Sequence, residues 1–564
     1  MNRKSTDLIN YLNVKQFGAV GDGQKDDFSA IKKAGLALTD QHILYFPAGT
    51  YRIQTRGNLI EIEGVSNIAI FFETEAVLLM DNLNDEGAGS GHAFYFKGPA
   101  ENLTLEGISI KWKRPKKRSH GDGIRIDGPF SNQGPSADRT FKHITIKNCS
   151  VENSPQTGMI LMGCSHIHIE NIDLKNTHAD GVHLNACQHF TVSGVRGEGL
   201  GDDNVALVTY YNSDTAKHTL NNQFGPYSRP SLGEWSNYNG LITNVESVDR
   251  RGANGIRVAG ALDVKIFNVR TLRRKAGIIV DAGRRGGTFG WSYQASRSID
   301  ITNVTTEDCH VGIHIMSFNV NTTDNLFWNF DVTVSNAFIK NCNHDNLLVE
   351  KCSGINLFNI NSQGYRIRLI QLSKLTVRNL QNSNGSVVIH GTRKRKGQTK
   401  PLNEDTIALD GIIVFQGNLQ IENATQIDGG HLHTYDSPNH VGIVLANINN
   451  MQVDSLISKN AQRRGIQITN CQHLSIASVF IEADRKRFTS LEIGGGDASS
   501  ISEDISIISG IYKNIEGRSD ILLQTGEYAP KDVSIQMSYN TLKKNKVWKN
   551  YRLNPDKARF KSIE

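Results

Sequence analysis

Proline is scarce in this chain, 12 of 564 residues, and no apolar stretch reaches the length a membrane span needs, about 18 residues. A transmembrane helix is therefore excluded. The opening MNRKSTDLINYL has no apolar leader core, so the expectation is a trimmed leader or an exit from the cell by another route. The seven cysteines, at 149, 164, 187, 309, 342, 352 and 471, form no CxxC pair. That argues against a zinc site of that kind, and an odd number excludes complete disulfide pairing within one chain. They read as buried thiols. No phosphate-binding loop or dinucleotide fingerprint is present, so no nucleotide cofactor is implied. The net charge of +6 is mild for this size; it suits an anionic partner without requiring one. What is abundant is glycine, 52 residues, with Asn and Ser beside short Ile, Val and Leu runs. This is a turn-rich, all-β composition.

The chain repeats. TGMILMGC, DGVHLNAC and DNVALVTY align with Gly158, Gly181 and Asn204 at steps of 23 residues, and Cys164 and Cys187 keep that step. The register continues at Gly255, Gly277 and Gly312, returns at Gly442 and Gly465, and has an earlier member at Gly123. Asn171 and Asn268 each follow an aligned glycine by 13 residues, and Asn148 precedes Asn171 by 23. A period of 22 to 23 with alternating apolar residues is one coil of a β-solenoid. The leucine signature and helix of leucine-rich repeats are missing, and a β-sandwich would not keep a fixed step. Inward residues should stack into an apolar core, with Asn in a corner ladder. Longer intervals mark insertions around 128–138, 210–238, 284–296 and 391–405. Such loops usually shape the binding face.

NVKQFGAVGDGQKDDFSAIKKAGLAL followed by ILYFPAGTYRI, over residues 13–53, resembles the opening of the pectate-lyase-like superfamily of right-handed parallel β-helices. That superfamily includes polygalacturonase-type hydrolases, polysaccharide lyases, epimerases and phage tailspikes. The resemblance is specific for fold and implies a polysaccharide ligand. DDFSAIKKAGLAL has the amphipathic pattern of a helix that would cap the open end of the first coil, with Asp26 and Asp27 as helix-start residues. The expected organisation is a cap over 1–53, a right-handed parallel β-helix over 54–539, and a basic tail or second cap over 540–564.

The register also arranges acids. The residue before each aligned position reads Asp122, Thr157, Asp180, Asp203, Asn254, Ala276 and Val311; the residue two after it reads Arg125, Ile160, His183, Ala206, Arg257, Ile279 and His314. Alternation sends Val182, Leu184, Val205 and Leu207 inward and His183 and Arg257 outward. Asp180 and Asp203 then lie about one strand spacing apart, with Asp202 beside them. Three such carboxylates cannot all stay ionised, and the one whose pKa rises becomes a general acid. Turn chemistry alone also explains Asp-Gly and Asp-Asn pairs. Asp122 stands apart from the others by a coil and a loop.

Polygalacturonase-type hydrolases carry NTDG, then DD about one coil later, then GHG, then RIK. HADG (178–181) and GDDN (201–204) resemble the first two. The resemblance implies that Asp202 is the general acid and that Asp180 and Asp203 hold the attacking water, with inversion. The GHG position reads ANG, placing Asn254 where the histidine stands, and the RIK position reads IIVD, without its basic pair. Those departures remove the expected grip on galacturonate. Candidate substrate contacts are His178, His183, Asn254 and Arg257, with Tyr210, Tyr211 and Trp235 of the 210–238 insertion as stacking surfaces. Arg273, Arg274, Arg284 and Arg285 could meet acidic sugars. KWKRPKKR (111–118) and TRKRK (392–396) read as solvated loops.

The expected activity is polysaccharide hydrolysis without a cofactor or metal. A lyase assisted by Ca²⁺ or Arg257 is the first alternative, and a glycan-binding spike or adhesin the second. The expected partner is a polysaccharide, with neither nucleic acid nor membrane insertion. A homotrimer and an extracellular or virion-tail location are implied by the tailspike resemblance.

Overall fold

The computed structural model describes residues 10–128, 141–211, 236–248, 253–284, 292–293, 296–317, 331–392, 405–438, 441–485, 487–494, 501–514, 518–523, 530–538 and 558–563. The insertions expected near 128–138, 210–238, 284–296 and 391–405 lie largely outside them. The fold is the expected right-handed parallel β-helix. The chain divides into two compact units, residues 1–300 and 301–564.

In the first unit the opening segment behaves as its pattern predicts. A helix at Phe28–Leu36 buries Phe28, Ile31, Ala34 and Gly35. Asp26 accepts the Phe28 N–H at 3.1 Å, while Asp27 turns back to the Val20 and Gly21 N–H groups at 2.7 and 3.0 Å. Beyond it, one parallel sheet contains the short strands Phe94–Lys97, Ile124–Asp127, Met159–Met162, Val182–Asn185, Val205–Val208, Asn254–Ala259 and Ala276–Arg284. Met159 pairs with Val182, Val182 with Val205, Val205 with Ile256 and Ile256 with Ile278. This is the register read from the repeat. The inward residues Ile124, Ile126, Leu161, Val182, Leu184, Val205, Leu207, Ile256 and Val258 are fully buried. Each contributes about 1.5–3 kcal/mol relative to an exposed side chain.

A second parallel sheet is made of long strands such as Phe141–Glu152, Cys164–Lys175, Gln188–Glu198, Asn237–Val248 and Ala261–Leu272. Each long strand has two left-handed residues, and the second of them marks a shared corner: Asn148, Asn171, Gly194, Asn244 and Asn268, with φ of 54°, 56°, 69°, 54° and 56°. Asn tolerates this conformation, and its amide links coil to coil. Asn171 donates to Asn148 and Asn268 to Asn244, at 3.2 and 3.3 Å. The expected corner ladder is present.

The second unit repeats the plan. Strands Asp345–Glu350, Ile367–Ile370, Val387–His390, Leu419–Glu422, Val441–Ala446 and Arg464–Thr469 pair in parallel. Its ladder runs through Asn303, Asn336, Asn359 and Asn379. All seven cysteines are buried and none forms a disulfide, in keeping with their reading as buried thiols. No helix among the described residues is long and apolar enough to cross a membrane.

Candidate active site

The three acids of the repeat do meet. Asp180, Asp202 and Asp203 each place a carboxylate oxygen within 4.8 Å of the other two. Asp180 and Asp203 occupy equivalent places on neighbouring coils, just ahead of the paired strands Val182–Asn185 and Val205–Val208. Gly201 leads into the second acid pair. A Cβ there would lie 2.4 Å from the His178 carbonyl oxygen, so only glycine lets the turn press this closely on the preceding coil.

The carboxylates have different duties. Asp122, Asp180 and Asp203 each accept the backbone N–H of the equivalent residue on the next coil: Thr157 at 2.9 Å, Asp203 at 3.0 Å and Asn254 at 3.1 Å. They clamp coil to coil. Two of them also hold a buried histidine: His92 Nδ1 lies 3.1 Å from Asp122 and His183 Nδ1 lies 2.7 Å from Asp180. Asp203 instead takes a second bond on Oδ1, from the Asn254 side-chain amide at 2.7 Å. Asp202 stands off this ladder. Its carboxylate is 34 % exposed and lies 3.2 Å from the Arg118 guanidinium.

These settings separate the three acidities. Burial pushes Asp180 up, but the His183 hydrogen bond and charge, with Arg118 and the Asp203 N–H, outweigh it and hold Asp180 below the usual carboxylate range. Burial and then the charge of Asp180 raise Asp202, against the opposing pull of Arg118 and Arg257. Asp203 rises further, through burial and then the charges of Asp180 and Asp202. The cluster therefore retains protons where isolated carboxylates would have lost them, with Asp180 the ionised member.

Several expectations need correction. His183 does not face solvent; it is 2 % exposed, because the strand Val182–Asn185 is covered on both faces. Asp203, also 2 % exposed, is not a water-facing acid. Asn254 is a clamp partner of Asp203 rather than an open contact. Arg257 is turned onto Asp281, with bonds of 3.2 and 2.8 Å. The aspartate of IIVD thus engages the nearest outward arginine. Arg274 is buried and donates to the carbonyls of Asp202 and Asn254 at 2.7 and 2.9 Å, bolting the acid turn to the next coil. His178 is half-buried beside the cluster. Tyr210 and Tyr211 form a short strand antiparallel to Ser292–Tyr293; nothing is described of their side chains. Trp235 and Arg285 lie outside the described residues.

Arg118 is the residue that sequence reasoning missed. It closes KWKRPKKR and also donates from Nε to Gln156 at 2.9 Å. The signal was its charge, but nothing in the repeat register ties it to an aspartate 84 positions away.

The donor set can be weighed against a calcium ion, which takes six to eight oxygens, roughly 2.3–2.6 Å away. Here three carboxylates converge, but Asp180, Asp203 and Asp202 are already engaged by His183, Asn254 and Arg118. The three carboxylates converge closely enough to offer oxygens to a cation, and the cations and amides at the cluster already neutralise part of their charge.

Three acids thus gather in the turns that lead into one sheet of a parallel β-helix. Residues 11–223 match the family described as rhamnogalacturonase A/epimerase, pectate lyase-like. The resemblance in the opening segment thus extends through all three acids. Two curated relatives are the mannuronan C5-epimerases AlgE3 and AlgE4 of Azotobacter vinelandii, 26 % identical over 151 residues and 27 % over 150. Each alignment covers 25 % of this chain, but only 8 % of AlgE3 and 25 % of AlgE4, so the chain spans a minor part of the length of these relatives. Among solved structures, the family 28 exopolygalacturonase of Yersinia enterocolitica is similar at 13 % identity, covering 69 % of this chain and 76 % of that one, with a TM-score of 0.39.

Proposed function

We propose that this protein hydrolyses glycosidic bonds of an acidic polysaccharide, with Asp202 as general acid and Asp180 as general base. The observation that carries this reading is the division of labour between the two: a partly exposed Asp202 of raised pKa beside a buried Asp180 of lowered pKa. Environments that push two carboxyl groups apart in this way supply one acid and one base at the same pH.

In the reaction Asp202 gives its proton to the glycosidic oxygen as the bond from that oxygen to the anomeric carbon breaks. Asp180 takes a proton from a water whose oxygen bonds to that carbon. One water is consumed, and exchange with solvent returns the two acids to their starting states. Asp203, protonated and held by Asn254, limits the negative charge beside Asp180. His183 and the Asp203 N–H fix the Asp180 carboxylate in one orientation. No step uses a metal. The oxygens sit closer than the about 6.5–9.5 Å typical of inverting pairs. Inversion rests on the motif resemblance and on the fact that both Asp180 oxygens already accept hydrogen bonds.

A second reading is removal of the C5 proton of a uronate, as in epimerases and lyases. It is favoured by the two mannuronan C5-epimerase alignments. Here Asp180, oriented by His183, would be the base, and Arg118 would neutralise the uronate carboxylate. Incubation with acidic polysaccharides, reading reducing ends and the ultraviolet absorbance of unsaturated sugars together, separates the readings. New reducing ends without absorbance are expected. Absorbance with each cleavage indicates a lyase, and neither signal with altered sugar configuration indicates an epimerase.

A further inference from the structure

A bound acidic sugar needs a cation beside the acids, and most of those near the cluster are committed. Arg257 is spent on Asp281, Arg125 on Asp127, and Arg274 on two backbone carbonyls. In the basic stretch that ends at Arg118, Lys111 pairs with Glu152, Lys113 with Asp81 and Lys117 with Glu86. Arg118 differs. It is 48 % exposed, it reaches the acids from a loop, and among the described residues its ion pair is the 3.2 Å contact with Asp202. That pair joins two solvent-reaching side chains, so it is worth at most about 1 kcal/mol. A bidentate guanidinium–carboxylate contact is the stronger arrangement.

We propose that Arg118 is a specificity latch: it rests on Asp202 in the free protein and transfers to the carboxylate of a bound uronate, releasing Asp202 to take up a proton. The assignment rests on the reading of Asp202 as the acid. Asp202 is faced by Arg118, Asp180, Asp203 and Arg257, with Arg274 on its carbonyl. Removing Arg118 from this set leaves Asp202 beside two acids and a cation already neutralised by Asp281. Asp202 is raised even with Arg118 in place, and release of Arg118 to an anionic sugar favours its protonated form further. The latch takes the role left open by the missing basic pair at the RIK position, from a different part of the chain.

The test is isothermal titration of the full chain with oligogalacturonate and oligomannuronate, and with the carboxyl-reduced form of each. Two buffers of different ionisation heat measure proton uptake. The wild type should bind at least one acidic oligomer roughly tenfold or more tighter than its reduced form and take up protons on binding. Arg118→Gln should lose both the preference and the uptake, and Arg118→Lys should keep part of the preference. Asp202→Asn should keep the preference and lose the uptake. Preference and uptake unchanged in Arg118→Gln would overturn the inference, as would a wild type that favours neither acidic oligomer. Binding does not depend on turnover, so a chain that binds in this way yet releases no reducing ends removes the hydrolase reading and leaves the latch standing.

Discussion

Asp180 and Asp203 are joined head to tail: Oδ1 of Asp180 accepts the backbone N–H of Asp203 at 3.0 Å, one coil away. The same acids that resemble a catalytic pair are thus part of the mechanism that stacks the coils. Mutating them tests folding and chemistry together, whereas Asp202 can be tested almost alone.

Asp202→Asn removes the transferable proton and no coil clamp. Cleavage should fall by about 10²–10⁴, the usual worth of general acid catalysis, while the melting temperature stays close to that of the wild type. Reducing-end assays beside thermal melts check both halves. A large fall in melting temperature would show that Asp202 is structural.

Asp180→Ala leaves His183 buried and breaks a clamp. A loss of about 3–5 kcal/mol is expected, as for removing one partner of a buried ion pair, measured by denaturant unfolding. The wild-type contribution depends on pH in a defined direction. Asp180 is depressed in the folded state, so its stabilisation is complete above the unfolded value of about 3.9 and disappears as pH falls through the folded value.

Asp203 has the opposite sign. Its raised folded pKa favours the protonated form, so its stabilising contribution is present at low pH and is lost as pH rises through the folded value. Asp203→Asn retains an amide of similar shape that does not ionise. Its melting temperature should gain on that of the wild type as pH increases. A difference that is constant with pH would contradict the assignment.

The solenoid was legible because its signals are local and repeated. Gly158, Gly181 and Asn204 mark the strand starts, and Asn148 and Asn171 bend the long strands where only a few residue types fit. Asp180 and Asp203 came from the same register. What escaped the sequence depended on contacts outside it. Alternation correctly sends His183 off the core side but cannot say that the outer face is also covered. Arg257 and Asp281 were both visible, yet their pairing needs the lateral approach of two coils. Arg118 reaches Asp202 from a loop with no periodicity, so a charge run that reads as solvated includes a residue of the site.

His183→Gln keeps a hydrogen-bonding group but removes the charge that depresses Asp180. The Asp180 pKa should rise, moving the acid limb of the activity–pH profile to higher pH. The alkaline limb, set by loss of the Asp202 proton, should move less. Both limbs shifting equally would mean that His183 acts on the cluster as a whole.

The most direct test of the central claim is cleavage of an acidic polysaccharide by the wild type and Asp202→Asn, following reducing ends, unsaturated-sugar absorbance and the anomer of the first product by NMR. The account requires reducing ends without absorbance, an inverted first anomer, and near-complete loss in Asp202→Asn. Absorbance rising with each cleavage, or full activity without Asp202, would contradict it.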